Sequence, residues 1–229
     1  MSVVGILAAA GRGERFGAHI PKQFLPLRGI PLVIRAARCL QEAEAVAQIV
    51  AAVPPGYQEL LQRWAEEYGV QKLSRIVVGG EHRQDSVRAA LETPEVQHAE
   101  LVLVHDAARP FATAALVERV LQAAQRHGAA VPGIPPAETI KKVAPTGEVV
   151  QTLAREWLRR IQTPQAFRRE WLVAAHVHAR RLGLSATDDA ALVELLGFPV
   201  VVVEGEPRNL KLTTPEDWRV AEALLQAEQ

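Results

Sequence analysis

Short apolar segments alternate with longer stretches of helical periodicity, and this alternation is the feature that most restricts the fold. Predicted strands occupy residues 3–9, 49–53, 75–78 and 101–104, and predicted helices occupy residues 31–41, 58–68, 82–91 and 113–127. This order of elements is typical of a mainly parallel sheet with helices on both faces. We therefore predict a Rossmann-like α/β fold in which residues 1–229 form one domain.

Three polar or glycine-rich segments each follow one of the predicted strands. They span residues 11–22, 79–86 and 105–109. In open α/β sheets, ligands bind at the carboxyl ends of the strands. We therefore expect the three segments to meet at one edge of the sheet and to carry the chemistry.

The first segment has the composition of a phosphate-binding loop. Small residues after a buried strand let backbone N–H groups approach a polyphosphate closely. Arg15 and Lys22 would supply cations to the same site. The segment matches neither the P-loop, which needs Gly-Lys-Ser/Thr, nor the dinucleotide fingerprint, because Phe16 stands where a glycine is required. The alternative is a tight turn with solvated cations.

The second segment could accommodate part of a nucleotide. Gly79 and Gly80 could admit a base or a ribose against bare backbone, and Ser86 could hydrogen-bond to it. The alternative is a strand-to-helix turn with a polar helix start.

The third segment places charged side chains after a buried strand. Asp106 could hold Mg²⁺ or a sugar hydroxyl there, and Arg109 could pair with a phosphate. A structural ion pair between the two is the alternative. We interpret His105 as structural, because phosphoryl transfer depends more on positioning and charge stabilisation than on proton abstraction.

Residues 132–164 interrupt the α/β alternation. Within them, residues 139–143 and 148–152 predict two strands around Pro145-Thr146-Gly147, which is a hairpin signal. Because an isolated hairpin is marginal in water, we predict that residues 136–162 form an arm that packs on a second subunit. The chain then returns to predicted α/β structure, with a helix over 169–182, strands over 200–203 and 209–212, and a helix that begins at Thr214.

Four further residues, all in the second half of the chain, are weaker candidates for the functional site. Arg155 lies in the arm, Thr163 precedes a proline, and Thr187 could cap a helix or contact a ligand. Lys211 falls in an apolar predicted strand, where a lysine usually extends its ammonium to solvent.

Composition excludes several classes of protein. The formal net charge is +0, from 26 basic and 26 acidic residues, which argues against a dedicated nucleic-acid or membrane-surface protein. Cys39 is the single cysteine, so an intrachain disulfide and a cysteine zinc site are excluded. Neither a membrane-spanning apolar run nor a signal peptide is evident, and we predict a cytoplasmic protein.

Taken together, the motifs resemble one family, the 2-C-methyl-D-erythritol 4-phosphate cytidylyltransferases. The matching segments are Ala-Ala-Gly-x-Gly-x-Arg with Pro-Lys-Gln, Gly-Gly-x-x-Arg-x-Asp-Ser-Val, Val-His-Asp-Ala-Ala-Arg-Pro, Thr-Pro-Gln, Thr-Asp-Asp and Asn-x-Lys-x-Thr, in this order from Leu7 to Asp217. The resemblance implies transfer of a cytidylyl group from CTP to methylerythritol phosphate, with release of pyrophosphate, by a homodimer that uses Mg²⁺.

The resemblance also implies roles for particular residues. Arg15, Lys22, Arg155 and Lys211 would be catalytic, with Arg155 reaching in from the partner subunit. The nucleotide would be held by Ala8, Ala9, Ala10, Gly11, Gly80, Glu81, Ser86, Asp106 and Ala107. The acceptor would be held by Asp106, Arg109, Arg155, Thr163, Thr187 and Lys211. Mg²⁺ would bridge the triphosphate, with Asp106 as its candidate protein ligand.

Two positions depart from the family pattern, and two other functions are alternatives to this interpretation. Glu81 replaces the aspartate common in the family, which weakens the expected base contact, and Glu138 replaces an aspartate in the arm. A cytidylyltransferase for another polyol phosphate, such as ribitol 5-phosphate, would differ around Arg109, Arg155, Thr187 and Lys211. A nucleotide sensor without turnover would not need both Arg15 and Lys22.

Overall fold

A computed structural model of the chain describes residues 2–11 and 20–227. Its strands are β1 (Val3–Ala8), β2 (Pro26–Leu27), β3 (Ile30–Pro31), β4 (Gln48–Val53), β5 (Leu73–Val78), β6 (Leu101–Asp106), β7 (Ala129–Ile134), β8 (Lys141–Val143), β9 (Val149–Thr152), β10 (Arg160–Ile161), β11 (Gln165–Arg168) and β12 (Val201–Glu204). Its α-helices are α1 (Leu32–Glu42), α2 (Gln58–Glu67), α3 (Arg83–Leu91), α4 (Pro94–Gln97), α5 (Ala114–His127), α6 (Arg169–Leu182), α7 (Asp189–Leu195) and α8 (Pro215–Gln226). None of the helices in these ranges combines the length and apolar character needed to cross a membrane.

The central sheet is mixed but mainly parallel, as predicted. Its order is β10-β7-β11-β6-β1-β4-β5, and β12 pairs with β7. Strands β4, β1 and β6 pair in parallel, whereas β11 runs antiparallel between β6 and β7. The sequence analysis missed β7 and β11, and it was therefore wrong in assigning no strand to either segment. Strand β7 was missed because Pro132 and Gly133 have low strand propensity, although every residue of that strand is buried.

Helices cover both faces of the sheet because the central strands bury side chains on both sides. On one face Val3 and Leu7 of β1 belong to a core cluster with residues of α1, α2 and α5. On the other face Val4 and Ile6 pack in a cluster with residues of α3, α4, α6 and α7. The Rossmann-like α/β class is thereby confirmed.

The strand order reverses direction at β1, and this reversal fixes where a ligand can bind. From β1 the chain proceeds to β4 and β5 on one side, while β6 lies on the other side. The last residues of β1 and β6, Ala8 and Asp106, are direct neighbours in the sheet. A topological switch point of this kind opens a crevice at the carboxyl ends of the strands.

The predicted hairpin is present outside the central sheet. Strands β8 and β9 pair antiparallel, with Lys141 opposite Thr152, and all of their residues are exposed. Near the return end of the arm, Trp157 is 84% exposed. Within the described chain the arm therefore presents apolar surface to solvent.

Two local predictions were wrong. Residues 209–212 form irregular structure instead of a strand, because the Leu212 amide donates to the loop carbonyl of Ala108 at 2.8 Å. The cap of α7 is Asp188, whose Oδ1 accepts from the Ala191 amide at 3.0 Å, and Thr187 lies one residue earlier. At α8 the predicted cap is confirmed, since Thr214 and Asp217 form a capping box.

Candidate active site

A cavity of about 370 Å³ opens at the carboxyl ends of β1 and β6. It is lined by residues 8–11, Lys22, Gln23, Arg83, Ser86, residues 106–108, Lys211 and Thr213. These residues come from the three strand-end segments and from the irregular segment before α8. The structure therefore joins the predicted segments in a single crevice, as expected for this type of sheet.

The end of β1 and the turn after it are shaped by a buried glutamine. Gln23 Nε2 donates to the carbonyls of Ala9 at 2.5 Å and Gly11 at 2.8 Å. Gln23 belongs to a short 3₁₀ helix, Lys22–Phe24, so the same turn also sets the position of Lys22. The sequence analysis gave Gln23 no role. Arg15 lies outside the described residues.

The two predicted lysines meet on one segment. Lys22 Nζ donates to the carbonyl of Leu212, the residue next to Lys211. Leu212 is itself fixed through its amide to Ala108. Both ammonium groups therefore line the same cavity, and together they make it attractive to phosphate oxygens.

Asp106 is the centre of the charge arrangement in this cavity. Its Oδ1 lies 2.7 Å from Arg83 Nε, and its Oδ2 lies 2.7 Å from Lys211 Nζ. Burial opposes ionisation of this carboxyl, but the positive charges of Arg83 and Lys211 hold its pKa well below the ordinary value. Asp106 is therefore a fixed anion between two cations at neutral pH.

Arg83 is the main residue that the sequence analysis missed. It begins α3, and its Nη1 also pairs with Asp189 of α7 at 2.6 Å. The available signal was its place in the Gly-Gly-x-x-Arg-x-Asp-Ser-Val segment, but its partners come from distant parts of the chain. Burial opposes the charge of the Arg83 guanidinium, but the attraction of Asp106 and Asp189 outweighs it and raises the pKa of this group.

The chain matches one protein family over nearly its whole length. The profile of the 2-C-methyl-D-erythritol 4-phosphate cytidylyltransferase family matches residues 3–227. The chain belongs to this family. A relative with the same name in Pelotomaculum thermopropionicum is 44% identical over 99% of this chain and 95% of its own. One in Symbiobacterium thermophilum is 48% identical over 97% of this chain and 92% of its own.

Solved structures of the family agree with the fold. The crystal structure of 2-C-methyl-D-erythritol 4-phosphate cytidylyltransferase from Thermus thermophilus is 39% identical, with a TM-score of 0.81 over 99% of this chain and 100% of that one. The 4-diphosphocytidyl-2C-methyl-D-erythritol synthase from Anaerococcus prevotii is 28% identical, with a TM-score of 0.86 over 98% of each chain. Family membership makes this chain a nucleotidyltransferase and disfavours both rival interpretations.

The nucleotide residues implied by the family resemblance divide into two groups. Seven of them line the cavity, namely Ala8, Ala9, Ala10, Gly11, Ser86, Asp106 and Ala107, whereas Gly80 and Glu81 are outside its lining. Close packing explains why the turn needs glycine at position 79. A Cβ on Gly79 would lie 2.2 Å from the Ala10 Cβ and 2.7 Å from Ser86 Oγ. The Ser86 hydroxyl donates to the His82 carbonyl at 3.1 Å.

Two of the predicted acceptor residues lie behind the cavity. Thr163 Oγ1 accepts from the Asp106 amide at 3.0 Å and contacts His105 Nδ1 at 3.1 Å. Arg109 is buried and donates to the Asn209 carbonyl at 2.8 Å. Burial lowers the pKa of His105 to about 4, so this ring is neutral at neutral pH, in keeping with a structural role. The hydrogen bond that Thr163 Oγ1 accepts from the Asp106 amide therefore holds the Asp106 backbone in place behind the cavity.

Arg155 and Thr187 lie away from the cavity in a single chain. Arg155 is exposed in a short 3₁₀ helix of the arm, and its Nη1 donates to the Ala137 carbonyl at 3.1 Å. Thr187 is exposed next to Asp188, which accepts from Gln165 Nε2 at 2.8 Å. Neither Arg155 nor Thr187 belongs to the cavity lining within the described residues.

Magnesium is compatible with the donor set of the cavity. Among residues 2–11 and 20–227, no group of three or more histidine, cysteine, aspartate or glutamate side chains is arranged to hold a metal. Asp106 is the carboxylate in the cavity lining. Mg²⁺ is commonly held by one or two carboxylates together with substrate phosphates, so a single aspartate fits that mode.

Proposed function

We propose that this chain transfers a cytidylyl group from CTP to 2-C-methyl-D-erythritol 4-phosphate and releases pyrophosphate. The observation that carries the proposal is the cavity at the β1 and β6 ends, where Asp106 stands between two cations and Lys22 lies on the neighbouring segment. Such an arrangement can bind anions and orient a hydroxylated acceptor. The relatives named above carry this activity in their names, so family and chemistry point to the same reaction.

The chemistry requires charge stabilisation more than proton transfer. A phosphate oxygen of the acceptor attacks the α-phosphorus of CTP in line, and pyrophosphate leaves. Because the nucleophile is already an anion, a general base is unnecessary. The barrier comes from repulsion between two anions, which Lys22 and Lys211 offset from within the cavity, together with Arg15.

We assign the two substrates to opposite parts of the cavity. Backbone at residues 8–11, with Gly80, Glu81, Ser86 and Ala107 nearby, would hold the cytidine and its phosphates. Asp106 and Lys211 would hold the acceptor, while Thr163 and Arg109 would support this part of the site from behind the cavity. Asp106 would also contact the nucleotide.

A divalent cation completes the proposed site. Mg²⁺ would be held by the CTP phosphates with Asp106 as a protein ligand, and it would neutralise charge on the triphosphate. We further propose that the enzyme works in the cytoplasm, because CTP is an intracellular nucleotide.

Pyrophosphate release measures the proposed reaction directly. The glycine turn at residues 79–80 packs closely against Ala10, Asp85 and Ser86. We expect backbone groups of this turn to read a pyrimidine edge and to exclude a purine, so turnover with CTP and methylerythritol phosphate should exceed turnover with UTP, ATP or GTP. Ribitol 5-phosphate serves as the competing acceptor. Equal rates with CTP and ATP would refute the nucleotide assignment, and faster turnover of ribitol 5-phosphate would refute the acceptor assignment.

We also propose that two chains form a dimer through residues 136–162 and that Arg155 completes the partner's site. Three exposed valines of the arm, Val143, Val149 and Val150, with the exposed Trp157, offer apolar surface that a second chain would cover. A solitary hairpin also needs a packing partner. Arg155 could then pair with the acceptor phosphate in the neighbouring cavity.

Mixing two inactive variants tests this arrangement. Arg155→Ala chains and Lys22→Ala chains are combined and allowed to exchange subunits. A mixed dimer has one site with both lesions and one site with neither, so random exchange should restore about a quarter of wild-type activity. Native mass spectrometry establishes the exchange. If mixed dimers form and remain inactive, Arg155 serves its own chain.

A further inference from the structure

We propose that Arg83, together with the buried residues Asp189 and His176, forms a positioning unit that fixes the Asp106 carboxylate in the orientation needed to hold the acceptor. This inference rests on the proposed function and deepens it. Arg83 borders the cavity, whereas Asp189 and His176 lie outside its lining and act through Arg83. They are therefore positioning residues.

The geometry of Arg83 makes this possible. Its guanidinium joins two carboxylates from different elements, Asp106 of β6 through Nε at 2.7 Å and Asp189 of α7 through Nη1 at 2.6 Å. A planar guanidinium with two directions fixed cannot rotate, so it also fixes the carboxylate that it contacts on the cavity side. Lysine could not bridge both carboxylates in the same way.

Lys211 does not achieve this restraint alone. Its side chain is 43% exposed, whereas the side chain of Arg83 is 25% exposed and pairs on its inner side with Asp189, which is 1% exposed. The rigid anchor of Asp106 therefore lies on the inner side, through Arg83. Lys211 remains able to leave Asp106 and follow a substrate phosphate.

Asp189 is held in turn by His176 of α6. His176 Nε2 lies 2.9 Å from Asp189 Oδ1, and the histidine side chain is 2% exposed. The two aspartates and the two cations Arg83 and Lys211 balance in charge, and His176 supplies a hydrogen-bond contact to Asp189 through Nε2. Burial opposes ionisation of Asp189, but Arg83 and His176 keep the pKa of its carboxyl lowered.

Steady-state kinetics with the full-length enzyme test the unit. We expect His176→Ala and Asp189→Asn each to raise the KM for methylerythritol phosphate by about tenfold and the KM for CTP by clearly less, because a displaced Asp106 misorients the acceptor while the nucleotide keeps its contacts with residues 8–11. His176→Gln keeps an N–H donor of similar reach and should restore most of the acceptor KM. A rise in the KM for CTP equal to that for the acceptor would overturn the proposal.

A matched core variant separates positioning from stability. Leu172→Ala removes a fully buried side chain from the same helix and should lower the melting temperature without raising the acceptor KM. If His176→Ala lowers the melting temperature and leaves the acceptor KM unchanged, the role is only structural and the proposal is wrong.

A double-mutant cycle provides the second readout. If His176 acts through Asp106, adding His176→Ala to Asp106→Asn should cause little further loss of acceptor affinity. Additive losses would overturn the proposal. Wild-type turnover is measured first, because its absence would refute the proposed function itself and not the positioning unit.

Discussion

Replacement of Lys22 with alanine is expected to lower kcat by about 10²–10³-fold and to change the KM for CTP much less. The lysine sits in a short 3₁₀ helix, and its Nζ is directed to the Leu212 carbonyl at the edge of the cavity. An ammonium held there contributes most when negative charge grows on the transferring phosphoryl group. Its loss should therefore destabilise the transition state by about 2.7–4 kcal/mol and the ground state by much less.

Steady-state kinetics on Lys22→Ala and on a control lysine variant would provide the measurement. Lys72 is a matched control, since its Nζ also donates to a backbone carbonyl, that of Ala43, at 2.7 Å, but it lies outside the cavity lining. Lys72→Ala should leave kcat nearly unchanged. A Lys22→Ala enzyme with normal kcat and a greatly raised KM would assign the lysine to ground-state binding instead.

The second large effect is expected at Asp106, where Asp106→Asn should lower kcat/KM for the acceptor by about 10²-fold. Asparagine keeps the size of the side chain, but Arg83 and Lys211 lose their shared counter-charge, and the amide N–H₂ cannot face either cation favourably. Glu95→Gln is the control, because Glu95 also pairs with the Nε of an arginine, Arg75, at 2.7 Å, away from the cavity. A variant with wild-type kcat/KM would remove Asp106 from the acceptor site.

The difference in unfolding free energy between wild type and Asp106→Asn should depend on pH. The Asp106 pKa is lowered in the folded state, so its ionised form stabilises the fold at any pH above the unfolded value of about 3.9. That contribution is lost as the pH falls below this value towards the folded pKa. Any stability advantage of wild type over Asp106→Asn should therefore shrink in acid, and an advantage that grows below pH ~4 would contradict the pairing.

The architecture was largely predictable because the central strands are apolar on both faces. Strands β1, β4 and β6 are apolar apart from Gln48 at the start of β4 and His105-Asp106 at the end of β6, and the segments after β1 and β6 meet where the topology requires. Strand β7 was missed because Pro132 and Gly133 are poor strand residues, and its burial depends on β11 and β12, which lie far away in sequence. Local propensity cannot report such tertiary pairing.

Within the site, the cavity residues were easier to predict than their supports. Lys22 and Asp106 stand in segments whose position after a predicted strand already indicates function. Arg83 looks like an ordinary charge at a helix start until Asp106 and Asp189, 23 and 106 residues away, are placed beside it. Lys211 was assigned to a strand because leucines flank it, but the backbone there bonds to a loop.

The proposed dimer through the exposed hairpin arm would make specific activity depend on enzyme concentration. If the acceptor site needs Arg155 from a second chain, the separated chain is incomplete, and specific activity falls as dilution favours separation. An acceptor bound across two chains would then stabilise the dimer. The free energy by which the acceptor stabilises the dimer equals the free energy by which dimerisation strengthens acceptor binding. Compounds that bind the Val149–Thr152 strand and prevent dimerisation would therefore inhibit catalysis without entering the nucleotide-binding cavity.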